Sequence, residues 1–384
     1  METENKDLVG SELDVVDVDV VGKTVEQVES EIVQGLLDRK LTDENGDVVI
    51  GEWRAILTKA SDGGQGVMLA LKRIRFFLRN ADEKWFADFK EQISSAPKEI
   101  LCLSEEQAAE FIKKTQEWVK ALGGFYGEDF YRRFQAALVR VEMLKRMSDA
   151  TLMLHSFTVG FSSLREELES LSRLADGRFF PLAHTAGEFY VQCGRAQEAR
   201  FKARLLADDV GAVWAEAKRM YASALENFRL SLALSARQQA ENPEMADGFA
   251  VCGLQQTHAS ALSCVGRLVS AIICQKLLDR GEKVDDWPDK GRMIDFLIAE
   301  EKEEIGQRLA AHLAEGASLG KVAFAAPFVN ETHVICCLQN YGLILLYQRD
   351  FVEAKRIAMF ILKQCPGLAE AEHLLSCVRE FSAN

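Results

Sequence analysis

From residue 67 to the end of the chain, apolar side chains recur at spacings of three and four almost without interruption, the period of an amphipathic helix. Ser104 and Gln107 form a capping-box pattern, and behind them Ala108, Phe111, Ile112, Trp118, Val119 and Leu122 fall on one stripe. Trp214, Ala217, Tyr221, Leu225, Phe228 and Leu232 mark a longer helix, which Asn242 and Pro243 should end. Val265, Leu268, Val269, Ile272 and Leu277 mark another. After a loop at Asp285-Asp286-Trp287-Pro288, helical periodicity resumes at Met293 and runs to about Ala314. Ala325-Ala326-Pro327 then sets apart a terminal segment. The pattern predicts an all-α protein of long antiparallel helices, either a bundle or an irregular helical-repeat stack.

The first 66 residues read differently. Residues 1–22 hold seven acidic side chains and one lysine, with Asp and Val alternating from Asp14 to Val20, and are expected to be a disordered acidic tail. Residues 23–65 predict a small helical segment. It opens at the capping box Thr24 and Gln27, turns at Asn45-Gly46 and ends in the cluster Gly63-Gly64-Gln65-Gly66. Residues 66–148 then form an N-terminal helical region, and 149–384 a C-terminal one.

Composition sharpens this picture. The 384 residues exceed what one compact core usually serves, and 48% are hydrophobic. The net charge of -13 repels a phosphate backbone, so nucleic acid is not an expected partner. Nine cysteines, most of them in apolar helical patterns, suggest reduced buried thiols and a cytoplasmic location. No apolar run reaches the length of a membrane span, so membrane insertion is not expected either.

The terminal segment carries the most specific pattern. Gly342 sits where two helices must approach closely, with Leu338 one turn before it. Phe351 and Ala354 put a bulky and then a small side chain at the start of the next helix, and Pro366 ends it by lacking a backbone donor. Residues 369–381 read as a closing helix. The stretch from about 335 to 368 thereby resembles a tetratricopeptide repeat, with Ala358 in place of one usual aromatic. A partial second match lies at 180–211, on Gly187, Tyr190, Gly194, Ala199 and Ala203. There Gly211 stands at the terminal proline position and Ala196 at an aromatic one. The two segments cover less than a fifth of the chain, and the helices between them are too long for a regular array. The resemblance implies helical hairpins whose first helices line a groove for a protein or peptide. By its register, Gln339, Leu343, Leu346 and Tyr347 face that groove in the terminal copy, and His184, Glu188 and Gln192 in the earlier one.

Enzyme chemistry has weaker support. Asp285-Asp286-Trp287-Pro288-Asp289 resembles the DDxxD motif of all-α isoprenoid synthases, in which carboxylates hold Mg²⁺ against a diphosphate. Asp208, Asp209 and Glu216 resemble the second metal motif, but Ala212 replaces its hydroxyl, Pro288 interrupts the first, and their order is reversed. Asp43, Asn45 and Asp47 begin like a calcium loop, yet Val48 and Arg54 stand where Gly and Glu are required. His333 with Cys337 and His373 with Cys377 are each spaced for two zinc ligands on one helix face. Lys72, Arg73, Arg75 and Arg79 form a basic run around Phe76 and Phe77, suited to an acidic partner or to the chain's own tail. None of the HExxH, GxxxxGK or GxGxxG patterns occurs, and Gly316-Ala317-Ser318-Leu319-Gly320 fits GxSxG by letters without the preceding strand that a nucleophile elbow needs.

The sequence therefore leads to a non-enzymatic interaction module without cofactor: an adaptor, assembly factor or chaperone that binds a protein or peptide partner. An all-α Mg-dependent enzyme acting on a diphosphate is the alternative from another class. A self-assembling structural protein, oligomerising through its tail or long helices, is a third.

Overall fold

A computed structural model describes residues 104–147, 149–156, 158–203, 210–241, 249–282, 284, 290–324 and 331–382. The readings for 1–65, the basic run at 72–79 and the carboxylate clusters at 208–209 and 285–289 lie outside the described residues. Within them every regular element is a helix. These are α1 (Glu105–Gly124), α2 (Glu128–Arg146), α3 (Asp149–His155), α4 (Val159–Leu174), α5 (Phe180–Ala203) and α6 (Val210–Glu241). They continue as α7 (Phe249–Asp279), α8 (Lys290–Ala299), α9 (Glu304–Ala323), α10 (Glu331–Tyr347), α11 (Phe351–Gln364) and α12 (Ala369–Ser382).

Local chemistry sets several of these boundaries. The Ser104 hydroxyl accepts from the Gln107 backbone N–H, and the Gln107 side chain accepts from that of Ser104, so the expected capping box starts α1. Thr158 and Asp350 cap α4 and α11 in the same way. α6 ends at Glu241, one residue before Asn242-Pro243.

The expected helix from Met293 to Ala314 is instead two, α8 and α9, broken at Glu300–Glu303. Five consecutive charged side chains from Glu300 to Glu304 interrupt the apolar face there. Arg280 holds Glu300 at 2.6 Å while its guanidinium lies over the Phe296 ring. The reversal is so tight that a Cβ on Gly306 would fall 1.8 Å from the Glu300 carbonyl oxygen.

A second difference concerns residues 180–211, expected to fold as a hairpin. The chain continues from Phe180 to Ala203 as the single helix α5. Gly187 and Gly194 mark a close approach to α6: Cβ atoms there would lie 2.6 Å from the Phe228 ring and 2.4 Å from the Tyr221 ring. Missing side chains on α5 thus become sockets for aromatic rings on α6, and this is the most extensive helix pair among the described residues.

From α5 onward each helix packs on its neighbours in turn: α5 on α6, α6 on α7, α7 on α9, α9 on α10, α10 on α11 and α11 on α12. α7 also meets α10 directly, and α8 lies against both. α1 packs on α2 and touches α7. One apolar core joins α2, α3 and α4 to the first half of α5, with Phe134, Leu152, Leu171 and Phe189 at its centre. It runs across position 148, where the sequence suggested a change of region. The other core runs from Phe201 through α6, α7, α9, α10 and α11 to Val378. Tyr190 of α5 borders both.

α6 and α9 are also tied by charge. Arg229 donates to both oxygens of Glu315, at 2.7 and 2.6 Å. Burial raises the Glu315 pKa, but hydrogen bonds from Arg229 and His312 outweigh it and bring the carboxyl down to about 2.

Two outcomes are expected. Gly306→Ala should destabilise the fold by about 2 kcal/mol or more in denaturant titrations, because the added methyl meets backbone. Gly266→Ala should be neutral or stabilising by up to about 1 kcal/mol, since its Cβ would meet only Asn340 Oδ1 at 4.0 Å. Equal losses in both variants would refute this account. For Glu315 the native pKa lies below the ordinary 4.5, so its contribution is complete above that value and fades as pH falls towards about 2. Arg229→Met should remove that part of the acid dependence, measured as the difference between wild-type and variant stability at pH 6 and pH 2.5.

Candidate interaction face

α5 carries a polar stripe on an otherwise apolar helix. His184, Glu188, Gln192, Arg195 and Glu198 follow one another by four, four, three and three residues, which keeps them on one face. The three sequence-derived candidates His184, Glu188 and Gln192 are therefore brought together. Glu188 and Gln192 are buried, and His184 is half-buried.

Their partners come from four other helices. Thr257 Oγ1 of α7 is hydrogen-bonded to His184 Nδ1 at 3.0 Å, and the Ser260 hydroxyl donates to Glu188. Lys145 of α2 lies 3.7 Å from Glu188 and 3.1 Å from Glu142. Arg195 donates to Asp149 of α3 at 2.6 Å, to Gln192 at 2.7 Å and to the Met147 carbonyl. At the far end Arg267 of α7 donates to both oxygens of Glu198, at 3.1 and 3.0 Å, and the Tyr221 hydroxyl donates to the same carboxylate. The Arg267 guanidinium also sits 6.0 Å from the centre of the Tyr221 ring.

This environment fixes the charge states. Burial lowers the His184 pKa, and Lys145 lowers it further against the pull of Glu188, so the ring is neutral near pH 7. Burial alone would lower Lys145, but Glu188 and Glu142 more than offset it and the ammonium stays charged. Burial and Glu198 both push the Tyr221 phenol well up. The nearby thiols are protonated and poorly nucleophilic: burial drives Cys193 to about 12 and raises Cys264 further.

Between Ala259 and Cys274, α7 is buried except along one narrow strip, where Ser260, Ser263, Gly266, Arg267 and Ser270 keep partial access to solvent. Arg267 retains 38% side-chain exposure, while its partner Glu198 retains 7%. On the α10 side of the strip, Asn340 donates to Ser263 at 3.0 Å. Beside it Gln339 is half-buried, and its Nε2 is shut off from solvent with no hydrogen-bond acceptor among the described residues. At the lower end Ser270 and Tyr347 both approach Met293 Sδ, at 3.8 and 3.4 Å.

The other candidates on α10 are placed less favourably. Leu343 is half-buried against the core, Leu346 is fully buried, and Tyr347 retains 9% exposure. Leu346 and Tyr347 are thus core positions and not groove-lining ones as the register implied. For Tyr347 the cover is α8, which the sequence pattern merged with α9 and which packs on α10 with Met293 against the Tyr347 hydroxyl. Gln339, one or two turns earlier, escapes that cover.

The residues that the sequence reading missed are Lys145, Arg195, Glu198, Arg267 and Asn340. For Arg267 a signal was present. It is the one Asp, Glu, Lys or Arg between Gln255 and Lys276, in a helix otherwise apolar and small. That stretch, Gln255–Asp279, is also long and apolar enough to cross a bilayer by length and composition, contrary to the expectation from contiguous apolar runs. Here it is the central helix, with 61% of its most apolar window buried among other helices.

The His373 ring nitrogens lie 4.0 Å from Cys377 Sγ, and the His333 side chain falls outside the description. Among the described residues no three His, Cys, Asp or Glu side chains gather as a metal site would require. No family model, curated protein or solved structure matches the chain. What this face offers is hydrogen-bond donors and acceptors held rigidly on helices.

Glu198→Ala is expected to destabilise the protein by about 3–5 kcal/mol, because Arg267 and the Tyr221 hydroxyl lose their shared acceptor. Adding Arg267→Met should recover a large part of that loss. A double variant as unstable as the sum of the two single ones, measured by urea unfolding, would show that the two side chains do not act as a pair.

Proposed function

We propose that this chain is a non-catalytic interaction protein of helical-repeat type, and that it holds an extended segment of a partner protein against α5, α7 and α10. In this reading α5, α7 and α10 form an inner series, α6, α9 and α11 an outer one, and α12 closes the end. The order of packing supports it, since each inner helix is followed by an outer one. The boundaries of α10 and α11, with Phe351 opening the second helix and Pro366 just beyond it, support the resemblance to a tetratricopeptide repeat at that end.

The observation that carries the proposal is the strip on α7. From Ala259 to Cys274 this central helix buries every residue except Arg267 and one line of Ser and Gly that stays partly accessible, so another backbone can approach closely. Gln339, half-buried beside it, has an amide Nε2 with no acceptor among the described residues, which a peptide carbonyl would satisfy once the side chain turns outward. Arg267 offers remaining donors at the opposite edge. An adaptor, an assembly factor and a chaperone would all use such a face.

The test is retention of a defined partner on the immobilised full-length protein, followed by titration of the interacting peptide. Gly266→Leu should reduce affinity at least ~10-fold, about 1.4 kcal/mol, by filling the strip. Gln339→Ala should reduce it less, and both variants should keep the wild-type helical content and melting temperature. Unchanged affinity in Gly266→Leu, with the fold intact, would place the partner elsewhere and sink the proposal.

A further inference from the structure

We propose that Arg165 of α4 binds a carboxylate, on the side of α5 away from the polar stripe. The Arg165 side chain is half-buried and crosses α5 to reach α6. Its Nη2 lies 3.9 Å from Cys193 Sγ and 4.0 Å from Met220 Sδ, and these sulfurs are weak acceptors. Its Nε is shut off from solvent without a hydrogen-bond partner among the described residues. No carboxylate pairs with it among them either. The Cys193 thiol, its pKa pushed up to about 12 by burial, brings no negative charge.

The other half-buried arginines among the described residues each donate to an oxygen: Arg133 to Glu167, Arg140 to Ser163, Arg195 to Asp149, Arg200 to Gln197, Arg267 to Glu198 and Arg292 to Glu282. Arg146 and Arg308 also have no ion-pair partner there, but both stand exposed and water screens their charge. Arg165 alone combines burial with the absence of an anion. A guanidinium held in this way bears the cost of desolvation without the attraction that offsets it, and an incoming anion supplies that attraction.

The surroundings narrow the ligand. Tyr190 of α5 is half-buried, and its hydroxyl has no hydrogen-bond partner among the described residues. Burial and Glu169 raise its pKa while Arg165 and Arg219 lower it, so these three charges lie within electrostatic reach of the hydroxyl. It is a second donor for a group held by Arg165. Glu169 of α4 is exposed, and Glu216 of α6 is held through both oxygens by Arg219, at 2.6 and 2.8 Å. Two carboxylates nearby repel a dianion more strongly than a monoanion, so a carboxylate fits better than phosphate. The planar end of the guanidinium, Nη1 and Nη2, can hold it by two parallel hydrogen bonds. A free organic acid and an Asp or Glu side chain of a partner protein carry the same group, and the test separates them.

In ¹⁵N-labelled full-length protein the Arg165 Nε–H resonance, identified by its loss in Arg165→Lys, reports on the site. Propionate and the peptide acetyl-Ala-Glu-Ala-amide should each shift it saturably, whereas propionamide and the Gln form of the peptide should not. The tighter of the two acids identifies the source: propionate a free organic acid, the peptide an acidic segment of a protein. Arg165→Lys keeps the charge but loses the fork, and should weaken propionate binding at least ~5-fold, read from saturation transfer to the propionate protons. Arg165→Met removes a charge that nothing pairs, so its melting temperature should equal or exceed that of the wild type. No saturable shift with either acid, an equal shift with propionamide, or tighter binding of inorganic phosphate would overturn the proposal. So would a resonance that moves in Glu169→Gln as far as under saturating propionate, since Glu169 would then already hold the guanidinium. A lowered melting temperature in Arg165→Met would equally overturn it, by showing that the fold already satisfies this charge.

Discussion

Tyr221 joins the apolar and polar halves of this structure. Its ring fills the space that Gly194 leaves open, which sets how closely α5 and α6 approach. Its hydroxyl reaches Glu198 on α5, and that carboxylate holds Arg267 on α7. One side chain therefore couples the spacing of the first two helices to the position of the third. Phe228, a further seven residues along α6, packs in the same manner into the socket of Gly187, and its ring meets His184. A glycine-aromatic contact constrains distance but not rotation. The hydrogen bonds from Tyr221 and Arg267 supply the missing constraint, because a rotated α7 would leave two buried polar groups unsatisfied.

The polar stripe of α5 follows the same logic. An entirely apolar interior would tolerate sliding of α5 against α7, which touch directly at few points. Bridges of different length, Thr257 to His184, Ser260 to Glu188 and Arg267 to Glu198, match only in one axial register. A buried ion pair contributes little net stability against a well-packed apolar substitute, so its value here lies in fixing that register. The consequence for recognition is geometric. A face assembled from three helices presents a constant pattern of donors only if those helices keep their relative positions.

Much of the fold was legible because helices declare themselves through period and caps. The Ser104–Gln107 box and the apolar line from Trp214 to Phe228 both correspond to the observed elements. What periodicity lacked was the difference between a glycine that turns a chain and one that admits a ring. Gly187 and Gly194 fit a hairpin pattern by spacing, yet their role depends on aromatics of the following helix. The break between α8 and α9 was hidden for a related reason, since apolar residues on both sides keep the period while five charges between them end the buried face. The register taken from the repeat resemblance also misplaced two side chains, since Leu346 is fully buried and Met293 of α8 covers Tyr347.

For the interaction face, the sequence revealed one side of each contact. His184, Glu188 and Gln192 were identifiable as neighbours because a helix fixes their spacing. Lys145, Ser260 and Arg267 lie in other helices, far along the chain from the α5 side chains they meet, and a period cannot pair them. Arg267 was nevertheless marked by contrast, as the lone Asp, Glu, Lys or Arg between Gln255 and Lys276. A charge in such a helix must be paired within the fold, and the pairing draws an acidic side chain of another helix towards it. Its remaining donors then stay at the edge of the serine and glycine strip, where the helix is accessible. The same residue thus locks α7 to α5 and borders a stretch of α7 that the fold leaves partly open.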